Sequence, residues 1–289
     1  MERAEGTGFD GWARSMIIDA HHHFWNPARG DYFWMVGDAM APIAKPIGPK
    51  ELAPHLAAAG IAKTVLVQAA PTVAETEYLL GLADATDHVA KVVGWVDFEN
   101  RHDLKQMARL AQQAKFSGVR PMIQDLPDPE WMHRGDVQWA FDAIVDLGLS
   151  FDALGFSIHL DPFLRLFERY PRMRTVIDHC MKPAIRDGAF ELWAAQLAKI
   201  ARETNAFCKL SGLASEAKAD WNAETLRPYV EHVLECFGSK RVMWGSDWPV
   251  LELNGTYDAW ISAAKFLVPS DMHDDVFQTT AKSFYLIDD

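Results

Sequence analysis

Residues 16–25 read Met-Ile-Ile-Asp-Ala-His-His-His-Phe-Trp, a short apolar run that ends abruptly in three histidines and two aromatic residues. A strand alternates its faces with period two, so His21 and His23 share one face while His22 takes the other. Seven further β-branched runs follow: Thr64 to Ala69, Val92 to Phe98, Phe116 to Ile123, Leu149 to Ile158, Met173 to Ile177, Ala206 to Leu210 and Arg241 to Trp244. With Met16 to Ala20 they make eight. Between them lie segments with helical spacing of apolar residues, among them Glu51 to Ala59, Glu75 to Ala85, Leu104 to Ala114, Val137 to Leu147, Phe190 to Ala201 and Leu226 to Phe237. Several end at a glycine (Gly60, Gly148, Gly238), where a helix terminates readily. Strand-then-helix alternation predicts a parallel sheet, and eight such units can close as a (β/α)₈ barrel, with a doubly wound open sheet as the competing arrangement.

The 289 residues are 49% hydrophobic and 24% charged, the composition of a globular chain with a sizeable core. An α/β barrel occupies roughly 200 to 250 residues as one unit, so a single domain over residues 16–289 is expected. Residues 1–15 are expected to be a loose lead with no assigned role. A net charge of −12 argues against nucleic-acid and anionic membrane partners. No apolar run approaches the ~20 residues of a membrane span, and the N-terminus lacks an apolar signal core, so the chain reads as cytoplasmic. Cys180, Cys208 and Cys236 are too few and too scattered for a disulfide framework or a zinc knuckle, and read as reduced thiols. Neither a dinucleotide-binding G-x-G-x-x-G after a strand nor a P-loop is present.

Barrel enzymes keep their chemistry at the C-terminal ends of the strands. Here the first run ends in His21-His22-His23, the fourth in Arg120-Pro121, the fifth in His159, the sixth in Asp178-His179 and the eighth in Asp247-Trp248. Two imidazoles on one face can hold one metal ion or polarise a carbonyl, and a carboxylate after the last strand suits a water-activating base. Taken singly, each residue also has a structural reading, Asp247 as a turn residue and the histidines as hydrogen-bonded strand ends. The long segment from Trp25 to Lys50, with four prolines, reads as a functional loop.

The strand-end set IDAHHHFWNPARGDYFWM, VQAAPTVAET, GVRPMIQDLPDPEWM, VIDHCMKP, CKLSGLASEA and WGSDWPV resembles the amidohydrolase superfamily, and within it the sugar-lactone hydrolases typified by L-fuconolactonase and L-rhamnonolactonase. The resemblance runs from about Ile17 to the C-terminal region. It implies a distorted, TIM-like (β/α)₈ barrel whose reaction centre combines His21, His23 and Asp247 with His179 and Arg120. It implies a hydrolase that opens a sugar lactone of the L-fucono-, L-galactono- or L-rhamnono- type to the aldonic acid, with Asp247 activating water. The alternative within the superfamily is a decarboxylase, or a hydrolase of an anionic lactone such as a pyrone dicarboxylate. Arg120 stands where binuclear members carry a carboxylated lysine, so the resemblance implies either no required metal or one divalent ion, zinc first, on His21, His23, His159 and Asp247.

Trp25, Trp34 and Trp248 are candidate walls for the C–H faces of a sugar. Arg29, Asp31 and Tyr32 are candidate hydroxyl contacts, and Lys182 could reach the mouth. Asp178 is expected to orient rather than react, and a modestly raised pKa is expected for Asp247. The partner is a small-molecule sugar lactone, and homo-oligomerisation is left open.

Overall fold

The computed structural model describes residues 16–288, so the expected lead over residues 1–15 lies outside the described residues. Eight parallel strands follow one another in sequence order around the sheet: β1 (Ile17–His22), β2 (Ile61–Val67), β3 (Val89–Gly94), β4 (Phe116–Val119), β5 (Ser150–Ala153), β6 (Arg174–Ile177), β7 (Phe207–Leu210) and β8 (Val242–Trp244). The helices are α1 (Pro49–Ala59), α2 (Val73–Asp84), α3 (Leu104–Leu110), α4 (Gln138–Asp146), α5 (Leu160–Arg169), α6 (Glu191–Glu203), α7 (Leu213–Glu216), α8 (Ala223–Phe237), α9 (Tyr257–Leu267) and α10 (Thr280–Tyr285). This is the distorted (β/α)₈ barrel, and the open sheet is set aside. Several expected strands are too long at their C-terminal ends, because the ladders stop where the chain turns outward into the rim loops.

The ring closes through the residues that follow β8 rather than through β8 itself. A parallel bridge joins His22 to Trp248, with Asp247 N donating to His21 O at 2.8 Å and His23 N to Trp248 O at 2.8 Å. Asp19 pins the same seam: its carboxylate accepts from Ser246 N at 2.8 Å and from Tyr257 Oη at 2.9 Å. Burial pushes that carboxyl up to about 6 despite these donors. Gly245 is required here, since a Cβ on it would stand 2.7 Å from His21 Cβ.

Inside the barrel, Ile18, Ala20, Val65, Val67, Val93, Val176 and Met243 pack with Phe284 and Tyr285, so α10 plugs the N-terminal end. The ladder of β1 slips between Asp19 and His22. Across that irregularity the inward positions pass from Ile18 and Ala20 to His21 and His23, which re-aims the histidines into the upper barrel. Among the described residues no helix is long and apolar enough to cross a membrane.

Candidate active site

His21 and His23 leave the end of β1 with their Nε2 atoms 3.2 Å apart. Asp247 meets both, its Oδ1 lying 3.3 Å from His23 Nε2 and 3.7 Å from His21 Nε2. His179, just past β6, brings its Nε2 to 3.8 Å from the same oxygen. Arg120, just past β4, sends one terminal nitrogen to 3.4 Å from His21 Nε2 and 3.3 Å from Asp178 Oδ2, and the other to the Gln68 carbonyl. All five residues expected at the reaction centre are therefore in one cluster, and all are buried.

Local backbone aims two of them. Asp247 has φ +58, a left-handed conformation that aspartate tolerates better than most residues. His179, Cys180, Met181 and Lys182 form four consecutive left-handed residues, with φ of 54, 51, 58 and 47, at a cost of roughly 1–2 kcal/mol each. The turn is held from outside: Trp193 Nε1 donates to Cys180 O at 2.7 Å, and Cys180 Sγ donates to Lys209 O at 3.2 Å. Gly212, with φ +69, lets β7 pass close by, since a Cβ there would lie 2.7 Å from His179 Nδ1. No glycine marks the 179–182 turn, so the sequence carries no sign of it.

Beneath the histidines lies a layer that sequence reasoning did not single out. Lys209, fully buried in β7, contacts Asp152 Oδ2 at 2.5 Å, Asp178 Oδ1 at 3.0 Å and His21 Nδ1 at 3.1 Å. Tyr285 Oη on α10 donates to Asp152 Oδ2 at 2.7 Å, tying this layer to the barrel plug. A lysine in the middle of the apolar run Ala206 to Leu210 was the available signal, because a buried lysine needs a carboxylate partner.

The electrostatics divide the cluster into neutral imidazoles and one carboxylate. Burial holds His179 down to about 4, burial lowers His23, and burial together with the nearby Lys209 charge holds His21 well below the usual histidine range. Burial opposes ionisation of Asp247, but His179, His23 and His21 outweigh it and keep the carboxyl far below its ordinary range. The expected raised pKa of Asp247 is thus corrected: the histidines that surround it favour the anion.

A pocket of about 210 Å³ opens above this cluster, lined by His23, Arg120, His179, Asp247, Lys182 and Trp34, with Met40, Met122, Gln124, Leu154, Val250 and Leu253. Lys182 Nζ donates to Gln124 Oε1 at 2.5 Å, and Trp34 Nε1 to Ala69 O at 2.7 Å. The other expected substrate contacts are not brought to this wall. Trp25 is fully buried behind it, its ring 5.4 Å from Trp34 and 6.1 Å from His23, with Nε1 bonded to Ile43 O. Trp248 turns away to Glu252 Oε1 at 2.7 Å, because Asp247 occupies the inward position next to it. Arg29 pairs with Asp31 at 2.8 Å and lies over Tyr78, and Tyr32 is buried against Trp25.

Donor atoms of His21, His179 and Asp247 all lie within 4.8 Å of one another, and His23 adds a fourth nitrogen 3.2 Å from that of His21. Two nitrogens bound to one tetrahedral zinc stand roughly 3.3 Å apart, so by spacing this set fits a single divalent ion. His159 does not belong to it. Its Nδ1 accepts from Phe156 N at 3.0 Å, capping the turn into α5, and its ring lies beside Phe156 and Phe163.

An eight-stranded barrel with an H-x-H after its first strand and a carboxylate after its last defines an amidohydrolase. The sequence profile of the amidohydrolase family matches residues 18–287, and the chain belongs to that family. It is 42% identical over 279 residues to an L-fucono-1,5-lactonase of Burkholderia ambifaria, covering 94% of this chain and 96% of that protein. An L-fucono-1,5-lactonase of Burkholderia multivorans is 32% identical over 84% of this chain and 86% of its own length. Among solved structures, an amidohydrolase from Burkholderia multivorans superposes with a TM-score of 0.88 at 30% identity, covering 94% of this chain and all of that one. It has been crystallised both with bound HEPES and with bound zinc.

Proposed function

We propose that this protein hydrolyses a neutral sugar lactone, of the L-fucono-, L-galactono- or L-rhamnono- type, to the aldonic acid. The observation that carries the reading is a single carboxylate, Asp247, kept ionised by three imidazoles at the floor of a sugar-sized pocket. Likeness along nearly the whole length of an L-fucono-1,5-lactonase supports the substrate class.

In the proposed reaction Asp247 accepts a proton from water as the water oxygen bonds to the lactone carbonyl carbon. The carbonyl π electrons move onto oxygen, where Arg120 and His179 meet the developing charge. Arg120 lines the pocket for this, its guanidinium held in place by Asp178 and the Gln68 carbonyl. Collapse of the tetrahedral intermediate breaks the bond to the ring oxygen, which takes the proton from Asp247. Since Asp247 is a weak base, its rate contribution comes from orientation, and returning the proton to an alkoxide is strongly favourable. A divalent ion on His21, His23, His179 and Asp247, zinc in the first instance, would when bound supply Lewis-acid polarisation of the carbonyl.

Anionic lactones and decarboxylation substrates suit the pocket less well. Arg120 is already paired with Asp178, and Lys182 is engaged by Gln124 in the field of Glu216 and Asp125. Proton release from a panel of sugar 1,4- and 1,5-lactones, followed with a pH indicator on chelator-treated protein, tests the reading. Turnover of a neutral lactone is expected. Folded protein that opens none of them, with or without added zinc, would overturn it.

A further inference from the structure

We propose that a cleft beside the catalytic pocket binds a second, neutral sugar ring, so that the substrate is a lactone carrying a glycosyl substituent. The inference rests on the reading of the protein as a sugar lactonase, and it concerns what else the substrate contains.

The cleft has a volume of about 280 Å³ and is walled by the segments that follow β3 and β4 together with the loop after β1. The same rim segments serve both cavities. Trp34 lines the catalytic pocket and Phe33 the cleft, Ala69 and Pro71 divide in the same way, and so do Gln124 and Asp125. Met122 lines both, so an unbranched, flexible thioether forms the partition. At about 210 Å³ the catalytic pocket alone is smaller than most ligand sites. The two cavities together fall in the usual range of roughly 300–1,000 Å³.

The chemistry of the cleft suits a sugar ring. Phe98 and Trp131 are buried at its base with ring centroids 5.8 Å apart, Trp95 is partly exposed, and Phe33 is 53% exposed at the rim. Such rings offer flat apolar faces to the C–H face of a sugar. Asp97 and Asp125 each keep one carboxylate oxygen without a hydrogen bond among the described residues, since the other, Oδ1, takes their contacts: Glu99 N at 2.9 Å for Asp97 and Gln124 Nε2 at 3.4 Å for Asp125. A neutral polyol has hydroxyl donors for both. An aryl group without hydroxyls would cover these carboxylates and leave them unpaired, which is costly, and an anionic group would meet their charge. Glu99 is already engaged by Arg134 at 2.6 Å and by Trp131 Nε1 at 2.8 Å.

The cleft is held in shape from beneath. Trp95 N donates to Thr76 Oγ1 at 2.8 Å, and Asp97 N to Asp103 Oδ2 at 3.1 Å. None of its aromatic or acidic side chains takes part in the proton transfers assigned to Asp247. Its contribution is binding energy from a part of the substrate remote from the reacting carbonyl.

The test uses the full chain and three disaccharides that carry a β-D-galactosyl ring on O2, O3 or O4 of L-fucose, with L-fucose as the parent. Calorimetry gives Kd for the sugars themselves, and proton release gives kcat/KM for the lactones made from them by bromine oxidation. At least one isomer should bind about tenfold or more tighter than L-fucose, the scale of burying one apolar face, and its lactone should gain similarly in kcat/KM over L-fucono-1,5-lactone. Trp95→Ala should erase most of that gain, as should Phe33→Ala, chosen because its ring is largely exposed. Both variants should leave kcat/KM for the parent lactone within about twofold. No isomer binding tighter than L-fucose, or a gain that survives both variants, would overturn the proposal. An equal gain from a benzyl ether on the same hydroxyl would reassign the cleft to aryl groups and overturn it as well. Failure of wild type to open the parent lactone would count against the lactonase reading, while the calorimetry would still decide on the cleft.

Discussion

Glu75→Gln should flatten the pH dependence of stability. Glu75 sits fully buried in the first turn of α2, where one carboxylate oxygen accepts from Ala69 N at 2.9 Å and the other has no partner among the described residues. Burial pushes its carboxyl from 4.5 up to about 8, against the backbone donors that favour the anion. A carboxyl whose folded pKa lies above its unfolded value gives stability that is fully present below the unfolded value and is lost as pH rises through the folded one. The window here runs from 4.5 to about 8. At 1.36 kcal/mol per pH unit the ceiling is ~5 kcal/mol, and water penetration with local relaxation should leave about 2 kcal/mol. Urea unfolding at pH 5.5, 7 and 8.5, with the slope m checked for constancy, reads the effect directly. Relative to wild type, the glutamine variant should gain about 2 kcal/mol between the lowest and highest pH. Parallel pH profiles for the two proteins, or a variant that loses ground at pH 8.5, would refute the reasoning. Ala69 O receives the Trp34 indole, so the same carboxylate also bears on the pocket wall, and Glu75→Ala should raise KM where Glu75→Gln does not.

Other perturbations separate the parts of the site. Asp247→Asn should lower kcat by roughly 10²- to 10⁴-fold with KM little changed and the fold intact, and a variant with near wild-type kcat would remove Asp247 as the base. Because Asp247 ionises far below the ordinary range and His179 stays neutral down to about pH 4, kcat/KM should be level from about pH 8 to about pH 5; an acid limb centred near pH 6.5 would contradict that assignment. Gly245→Ala places a methyl 2.7 Å from His21 Cβ and should cost about 1–3 kcal/mol in stability, with a fall in kcat; a silent substitution would mean that the seam is looser than described.

What was legible in the sequence, and what was not, divides along physical lines. The H-x-H, Arg120, His179 and Asp247 stood at strand ends, where a parallel barrel gathers functional groups regardless of detail, so their convergence followed from topology. The outward turn of Trp248 and the burial of Trp25 depend on which face each loop residue takes, and a loop has no periodicity to decide that. His159 followed an expected strand like the others, but β5 stops at Ala153 and His159 lies in the turn into α5, its ring claimed by the Phe156 amide. Lys209 and Asp152 interact across 57 residues of sequence, inside strands whose apolar neighbours dominate the pattern. The ionised state of Asp247 required the positions of three histidines around it, which spacing alone does not contain.

The most direct measurement of the central claim is the ratio of kcat/KM for L-fucono-1,5-lactone and 2-pyrone-4,6-dicarboxylate, taken on the same folded preparation with proton release as the readout. With Arg120 paired to Asp178 and Lys182 to Gln124, the neutral lactone should be opened and preferred by about 100-fold or more, equivalent to roughly 2.7 kcal/mol. A dicarboxylate turned over as well as or better than the sugar lactone, or no ring opening of the sugar lactone at all, would contradict the account.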